Sequence, residues 1–560
     1  MTATMHGTPA EARYSFWRRQ LDHYPDTRPR MTYLCIVVLA TIALYYAFYV
    51  PGAVAPAIIA HYGMTFNTYV YIIVIANAVG AFGSLAAGLA DRWGRANLVA
   101  YGLVIVGLLV LFGVPNAPNT FTYGLLFAIV GVVEGVILVA TPALVRDFSP
   151  QLGRASAMGF WTLGPALGSL VVAVVSSNTL SHLTAWQDQF IICGIAVLAV
   201  AVIAVVGLRE LSPQLRDQLM VSMHDRALIE ARARGLNVSE LLRKPWRQML
   251  HLDIIGPAFA ISVFLLVYYT AVGFFTVYFT TLHGFSLSTA NSIGNWFWAF
   301  DAAALVIIGI ISDRVGVRKP FMVLGAVGAI TATIIFLNLG KGTAYSTFAL
   351  VISILAVFLA IAYAPWMASY TETVEKHNPA LTATGLAIWG WIIRAVIAIS
   401  FLIMPAVVSS MTPLVTYGSS VVTLSTKYAQ ELATLNAIDP ATQAALAANS
   451  ANPIAGLKAV TEVARAFNIG PAAATVRLVQ VSRVPRSDLL FLQAHGKDVA
   501  NAAAAAPGQW KSWWWVCVGG QVVFIPLILL MAGRWSPRRA REDAEEHERM
   551  VQQELAALDS

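Results

Sequence analysis

Apolar stretches of about 20 residues recur along this chain, and each is long enough to cross the hydrocarbon core of a bilayer as a helix. Hydrophobic residues make up 58% of the 560 positions and charged residues only 12%, a balance that soluble chains of this length do not have. The stretches begin near Met31, Thr68, Leu98, Phe121, Ala155, Phe190, Ile254, Thr289, Phe321, Ser346, Leu381 and Trp513. We therefore expect an all-α integral membrane protein with about twelve transmembrane helices.

The distribution of Lys and Arg among the short loops predicts how these helices are oriented. Positive residues bias a loop toward the cytoplasm, and here they fall mostly in alternate connections. They are Arg92 and Arg95, Arg146 and Arg154, and Arg314, Arg318 and Lys319. The intervening turns, with Lys341 as an exception, lack Lys and Arg and lie near Gly63, Asn116, Ser181 and Gly284. We predict a multi-pass protein of the cell membrane with both termini in the cytoplasm.

A short loop signature occurs twice in the chain, each time at the end of a long apolar stretch. It reads Ala87-Gly-Leu-Ala-Asp-Arg-Trp-Gly-Arg95 in the first copy and Gly309-Ile-Ile-Ser-Asp-Arg-Val-Gly-Val-Arg318 in the second. An offset of about 222 residues aligns the copies and also aligns Tyr46 with Tyr268, as expected for a transporter fold built from internal repeats. The sequence thus predicts two six-helix halves.

Charge and apolar patterning divide the chain into segments. We expect a cytoplasmic leader (1–30), an N-terminal six-helix bundle (31–208), a cytoplasmic linker (209–252), helices 7–11 of a C-terminal bundle (253–410), an extracytoplasmic insertion (411–511), helix 12 (512–535) and a charged cytoplasmic tail (536–560). The linker and tail mix Arg with acidic residues, which favours exposed surface helices.

The insertion is the main departure from a plain twelve-helix chain, because about a hundred residues exceed the length of an ordinary loop. Asp439-Pro440 and Asn452-Pro453 are typical helix starts. After the second start, an apolar stripe is formed by Ile454, Leu457, Val460 and Val463. We expect a small helical cap that gates the pathway, binds a partner or shields the last helices.

The duplicated signature resembles the loop between the second and third helices of the major facilitator superfamily (MFS), Gly-x-Leu-Ala-Asp-Arg-x-Gly-Arg. The first copy matches at Leu89, Ala90, Asp91, Arg92, Gly94 and Arg95. The second copy keeps Gly309, Asp313, Arg314 and Gly316, and its later basic residues are Arg318 and Lys319. The resemblance covers nearly the whole chain except the linker and the insertion.

This resemblance implies the MFS fold, in which two six-helix bundles alternate the access of a central site. It also implies that both loops act as a conformational latch of paired charges, formed by Asp91, Arg92, Gly94, Arg95, Asp313, Arg314, Gly316 and Arg318. Simple positive-inside anchoring is the alternative interpretation of the same charges.

A second motif of the resemblance lies in the predicted fifth helix. Gly164, Pro165 and Gly168 resemble a Gly-Pro-x-x-Gly motif of antiporters. Small residues let helices approach closely in lipid, and proline loosens the backbone. The motif is therefore compatible with a packing kink or with a role in coupling.

Three charged residues, Glu134, Asp301 and Arg394, fall near the middle of predicted helices, where a charge costs on the order of 3 kcal/mol or more. Glu134 is either a proton carrier or a neutral packing acid. Arg394 either clamps a substrate anion or forms a buried ion pair with Asp301. Both roles are compatible if a substrate carboxylate displaces Asp301 and the freed acid takes a proton.

Polar and aromatic residues accompany these charges at similar depths. Asn295 and Trp298 share a helix face with Asp301, and Trp391 precedes Arg394 by about one turn. Tyrosine pairs occur at Tyr45, Tyr46, Tyr268 and Tyr269. We interpret these residues as a substrate and proton pathway, although ordinary helix packing accounts for each tyrosine separately.

Several other classes of protein are disfavoured. Cys35, Cys193 and Cys517 lie singly in apolar stretches, so neither a disulfide framework nor a metal cluster is expected. The chain has no phosphate-binding Gly-x-x-x-x-Gly-Lys loop and no recognisable catalytic constellation, so we expect neither an enzyme nor a cofactor. Anionic lipids, rather than nucleic acid, explain the positive segments.

These observations predict a secondary active transporter that moves a small organic solute, an organic anion or metabolite, in symport with protons by alternating access across the cell membrane. The expected partners are the small-molecule substrate, protons and membrane lipids. A drug or metabolite:proton antiporter is the nearest alternative. A transporter-like membrane receptor or scaffold is a third hypothesis.

Overall fold

The computed structural model describes residues 19–83, 93–148, 154–212, 215, 249–377, 382–449, 452–539, 541–542, 545–546 and 549–550. Asp91 and Arg92 of the predicted latch lie outside these residues, as does most of the predicted linker. The described chain is helical, apart from a two-residue parallel pairing of β1 (Gln20–Leu21) with β2 (Glu210–Leu211). It divides into a larger unit, Met1–Val407 with Trp510–Ser560, and a smaller unit, Val408–Gln509.

The larger unit contains two successive sets of helices. The first set is α1 (Thr27–Ala53), α2 (Ala55–Tyr62), α3 (Phe66–Gly83), α4 (Arg95–Leu108), α5 (Thr120–Phe148), α6 (Arg154–Thr179) and α7 (Trp186–Gly207). The second set is α8 (Leu252–Phe264), α9 (Leu266–His283), α10 (Leu287–Val315), α11 (Lys319–Leu337), α12 (Tyr345–His377) and α13 (Thr382–Val407). We call these sets, with their adjoining strands, the first and second halves.

The smaller unit contains five helices and the beginning of a sixth. They are α14 (Met411–Lys427), α15 (Ala429–Asn436), α16 (Pro440–Ala448), α17 (Pro453–Phe467), α18 (Pro471–Ser482) and α19 (Arg486–Leu527). Residues of α19 from Trp510 onward belong to the larger unit, where they complete the second half.

Within the described residues, 11 helical segments are long and apolar enough to cross a membrane, and Leu163–Thr179 within α6 is a shorter apolar helix. Large apolar side chains stand exposed on these segments, including Phe112, Val206 and Leu350, each at least 61% exposed. Lipid, rather than water, suits such surfaces. The predicted all-α integral membrane fold is confirmed, and the predicted helix count is reached only when the shorter helix is included.

The first long apolar segment of each half is built in the same way. The helix breaks at Val54 between α1 and α2, and at Leu265 between α8 and α9. Each pair then ends at a glycine in the left-handed conformation, Gly63 with φ of 58° and Gly284 with φ of 69°. A residue with a Cβ is strained at these φ values, which explains why glycine occupies equivalent positions in both halves.

Helices α3 and α5 cross at glycines, which bring their backbones into direct contact. A side chain on Gly131 would collide with the backbone of Ala76, and one on Gly135 would collide with the backbone of Gly80. Small residues are the usual means of close helix packing in lipid, where no hydrophobic effect drives the helices together. At this crossing Gly80 also lies beside Glu134, whose Oε2 would be 3.4 Å from a side chain on Gly80.

The smaller unit has its own hydrophobic core, formed by Ile438, Ala459, Val463 and Ala474. The Asp439 side chain accepts a hydrogen bond from Ala441 N at the start of α16, and Asn452 caps α17 in the same way. The helix starts expected from the sequence are therefore present. The expected apolar stripe is wrong in part.

Helix α17 buries Ala455, Ala459 and Val463, whereas Ile454 and Leu457 are 80% and 72% exposed. Buried positions four residues apart form one face of a helix, and this face carries small side chains. Neighbouring helices approach it closely, so the larger residues of the expected stripe are left on the outside.

Adjacent glycines in α19 provide a matched test of close packing. A side chain on Gly520 would collide with the carbonyl oxygen of Val263, whereas one on Gly519 would meet no atom within 4 Å. We expect Gly520→Leu to lower the thermal unfolding midpoint and the yield of monodisperse protein, since overpacking typically costs about 1–3 kcal/mol. Gly519→Leu should behave like wild type in both measurements, and equal effects of the two substitutions would contradict this packing.

Candidate functional site

The three charges selected from the sequence lie within the larger unit. Glu134 on α5 is 6% exposed and Asp301 on α10 is 3% exposed, and Arg394 on α13 is half-buried. At such depth, the means by which each charge is compensated determines what the group can do. Among the described residues, no group of three or more His, Cys, Asp or Glu is arranged to hold a metal ion.

Arg394 reaches from the second half to the first. Its Nη1 donates a long hydrogen bond of 3.4 Å to the carbonyl oxygen of Gly80 on α3. A methyl group on Gly80 would lie 3.4 Å from Oε2 of Glu134, so Glu134 lies beside the same backbone position. The charge of Arg394 acts on the Glu134 carboxyl. Opposite charges from the two halves therefore approach each other at Gly80.

Five tyrosines surround these charges. Tyr45 and Tyr49 on α1 have ring centroids 5.3 Å apart, and the charge of Arg394 acts on both hydroxyls and on that of Tyr269. Tyr268 and Tyr363 continue the cluster. All five side chains lie deep in the protein but keep accessible surface, which indicates that they line an internal space.

Asp301 lies at another edge of this tyrosine cluster. Its charge acts on the hydroxyls of Tyr268 and Tyr363, and the Tyr268 ring contacts Trp298 with 4.9 Å between centroids. Its Oδ2 is enclosed and accepts no hydrogen bond from the described residues. Arg394 forms no ion pair with Asp301 in this structure, so the pairing considered from the sequence is absent and Glu134 is the acid beside Arg394.

Some residues selected from the sequence lie away from the cluster. Tyr46 is 3% exposed and lies near Cys193 on α7, because adjacent helix positions point about 100° apart. Trp391 is 43% exposed. The tryptophan that packs against the cluster is Trp389, whose ring centroid lies 6.4 Å from that of Tyr363. Tyr49, Tyr363 and Trp389 belong to the cluster or pack against it, and none of them was selected from the sequence. Tyr49 could have been found, because it lies four residues after Tyr45 and therefore on the same helix face.

The halves are joined by hydrogen bonds near the beginning of α10. The Ser288 hydroxyl donates to the carbonyl oxygen of Ser177 at 2.6 Å, and the Asn295 amide donates to the Ser177 hydroxyl at 3.0 Å. Asn291 donates to the carbonyl oxygen of Ala53 at 3.0 Å. Asn295 thus serves the contact between halves, at the end of the molecule that carries the Arg-free turns.

The Gly-Pro motif packs α6 against α1. A side chain on Gly164 would lie 2.5 Å from Cγ2 of Thr41, and one on Gly168 would lie 2.6 Å from Cβ of Tyr45. Pro165 lies inside the helix between them. The motif therefore fixes the position of a tyrosine that lines the internal space.

The first latch loop is held by acids that the sequence did not indicate. Nη1 of Arg95 donates to both carboxylate oxygens of Asp147 at 2.7 and 2.9 Å, and both side chains are largely buried. The Glu210 carboxylate accepts from the backbone N–H of Arg95 at 2.6 Å and of Ala96 at 3.3 Å. It also fills the space beside Gly94. A carboxylate at a helix N-terminus is stabilising.

The second loop repeats this arrangement in altered form. Arg318 pairs with Asp313 at 2.7 Å and with Glu372 at 3.3 Å. Arg318 and Glu372 follow Arg95 and Asp147 by 223 and 225 residues, close to the repeat offset without matching it. Gly316 ends α10 in the left-handed conformation, and Arg314 is exposed with no ion pair among the described residues.

Comparisons with known proteins identify the family. The sequence model described as Major Facilitator Superfamily matches residues 37–400. The MFS transporter asaE of Aspergillus flavus is 26% identical over 158 residues, which are 26% of this chain and 35% of that relative, so the match spans little more than a third of its length.

Solved structures give the same fold. A bacterial homolog of the human lysosomal transporter Spinster, in an inward-facing and unoccupied conformation, has a TM-score of 0.53 and 16% identity over 92% of this chain and 100% of its own. The proton:xylose symporter XylE of E. coli, bound to 6-bromo-6-deoxy-D-glucose, has a TM-score of 0.50 and 14% identity over 68% and 88%. The chain belongs to the Major Facilitator Superfamily.

Proposed function

We propose that this MFS transporter is a proton-coupled symporter that carries a small organic anion across the cell membrane. The observation that supports the proposal most is the approach of Arg394 and Glu134 from opposite halves at Gly80. An arginine supplies planar donors suited to a carboxylate or phosphate. A nearby acid can take up a proton when the substrate binds.

Charge balance explains how the two ions are coupled. Without substrate, ionised Glu134 compensates Arg394. An anion that joined this pair would leave a net negative charge in a region of low dielectric, which is unfavourable. When Glu134 is protonated, the charge of Arg394 compensates the anion instead, so the loaded site is neutral again. The transporter then changes the access of the site only when the site is empty or holds both the anion and the proton, because only these two states are neutral.

The tyrosine cluster supplies the rest of the substrate site in this proposal. The hydroxyls of Tyr45, Tyr49 and Tyr269 can hydrogen-bond the polar group that Arg394 holds. Their rings offer apolar surface to the rest of a small solute. The halves meet near the Arg-free turns, which we assign to the outside, with both termini in the cytoplasm. Access to the site then lies on the cytoplasmic side.

Asp301 favours a second candidate, a proton antiporter that exports a cationic drug or metabolite. Its Oδ2 lacks a hydrogen bond within the described chain, and aromatic rings surround it, an arrangement that suits an organic cation. A receptor or scaffold would catalyse no flux. The direction of flux in sealed vesicles distinguishes these alternatives.

The first prediction concerns Glu134→Gln, measured with a panel of labelled monocarboxylates in proteoliposomes. Glutamine mimics the protonated acid, so exchange of labelled for unlabelled substrate should persist. Accumulation driven by an inward gradient of 1 pH unit, which reaches up to about tenfold for one proton, should be lost. Asp301→Asn is the matched control. If this control loses accumulation while Glu134→Gln keeps it, Glu134 is not the coupling acid.

The second prediction concerns the membrane potential. One proton and one monoanion carry no net charge, so a potassium diffusion potential of about 100 mV should leave the steady-state accumulation unchanged. Uncoupled anion movement would shift accumulation by roughly fiftyfold, since the potential acts on each charge with about 2.3 kcal/mol per 100 mV. A shift of that size would contradict electroneutral symport.

The third prediction concerns the first latch. Arg95→Asp or Asp147→Arg alone should reduce the transport rate at least tenfold, because each leaves like charges facing each other where both are largely buried. The double exchange should recover part of the rate, with a coupling energy above about 1 kcal/mol. Lys341→Asp, an exposed charge reversal outside both loops, is the control and should stay within about twofold. Additive losses in the double variant would show that the pair does not act as a latch.

A further inference from the structure

Lys319 is a buried cation that has no anionic partner among the residues that the structure describes. It is the first residue of α11 and only 6% exposed. Within the described part of the chain, its ammonium makes no hydrogen bond or ion pair. Burial of a charge is costly unless another charge compensates it. The acids Asp313 and Glu372 pair with Arg318, and neither forms an ion pair with Lys319.

Further positive charge surrounds Lys319. The charges of Lys376 at the end of α12 and Arg534 after α19 both act on its ammonium. Lys319 also lies at the positive end of the α11 dipole, where no side chain caps the helix. Lys376, Arg534 and the helix N-terminus therefore all act unfavourably on the charge of Lys319, and an anion beside Lys319 would relieve this repulsion.

The chain after α19 is fixed in place beside Lys319. The N–H of Ala532 donates to the Thr373 hydroxyl at 2.8 Å, and the Ser369 hydroxyl donates to the carbonyl oxygen of Ala532 at 3.0 Å. The backbone then turns at Gly533, with φ of 100°. This turn brings the Trp535 ring centroid to 5.9 Å from Nζ of Lys319. The arrangement is thus a built site on α11, α12 and this segment.

We propose that Lys319, Lys376 and Arg534, with Trp535 at the edge, bind the phosphate of an anionic phospholipid headgroup. A candidate membrane span begins at Lys319 itself, so the cations lie where a helix leaves the hydrocarbon. The Trp535 side chain is 48% exposed, and tryptophan is typical of the headgroup region. Basic clusters between helices at this level suit anionic lipids. The inference is independent of the transported substrate.

The experiment measures thermal unfolding of the purified full-length chain in a neutral detergent. Short-chain phosphatidylglycerol, phosphatidylcholine and inorganic phosphate are titrated separately. The variants are Lys319→Gln, Lys376→Gln and, as the control, Lys341→Gln, whose lysine is exposed beyond the other end of α11. Lys376 is exposed, so the Lys376→Gln variant should fold even if the Lys319→Gln variant does not.

We expect phosphatidylglycerol to raise the unfolding midpoint of the wild type and of Lys341→Gln, and phosphatidylcholine to have no such effect. Lys319→Gln and Lys376→Gln should each weaken the apparent affinity for phosphatidylglycerol roughly fivefold, since one lysine near an anionic lipid surface contributes about a factor of this size. Without lipid, Lys319→Gln should unfold at or above the wild-type temperature, because it removes an uncompensated charge.

Two results would overturn the proposal. An equal shift with inorganic phosphate would assign the cluster to a soluble anion instead of a lipid. A phosphatidylglycerol shift that survives in both Lys319→Gln and Lys376→Gln would place the lipid elsewhere on the protein.

Discussion

The cost of a charge inside hydrocarbon is the constraint on which the larger unit depends. Glu134 and Arg394 come from different halves and approach each other at Gly80, where the charge of Arg394 acts on the Glu134 carboxyl, so this approach is also a contact between the parts that must move in alternating access. Asp301 has no such partner in the described chain. The two acids therefore differ in their surroundings: Glu134 lies beside a cation and Asp301 does not, although both are buried at edges of the same tyrosine cluster.

Gly80 takes part both in the packing of α3 against α5 and in the candidate site. The absence of a side chain lets α5 cross closely, which brings Glu134 alongside. The missing side chain of Gly135, in turn, leaves the Gly80 carbonyl oxygen open to Arg394, because a Cβ on Gly135 would collide with this oxygen. A larger residue at Gly80 would separate the helices, and one at Gly135 would cover the acceptor. Gly168 has a similar double role, because its contact with Tyr45 sets the position of a tyrosine in the internal space.

Much of the fold follows from the sequence, because apolar length and helix-start residues act locally. The apolar spans and the starts at Pro440 and Pro453 are examples. The depth of Arg394 could be predicted in the same way. Its neighbour could not, since position along a helix fixes height in the membrane but not which other helix the side chain faces. Sequence therefore left Asp301 as a possible partner, whereas the structure places Glu134 beside Arg394.

The acids that bind Arg95 in the first latch loop could not be predicted from the sequence for a related reason. Asp147 and Glu210 lie 52 and 115 residues from Arg95, and neither belongs to the repeated signature. Only the assembled half brings them to the loop. In the second half, Arg318 likewise pairs with an acid outside the signature, Glu372, so an ion pair recurs between the loop and α12 although the repeat offset does not align the residues.

Glu210 also restricts where the chain can be divided. This carboxylate caps α4 from the end of the first half, and its own backbone N–H donates to the carbonyl oxygen of Arg19 at 3.0 Å. The first half is therefore closed by residues at both of its extremities. Split versions of the protein, expressed as two fragments, would need the break placed after Ser212, because a cut before Glu210 would separate α4 from its cap.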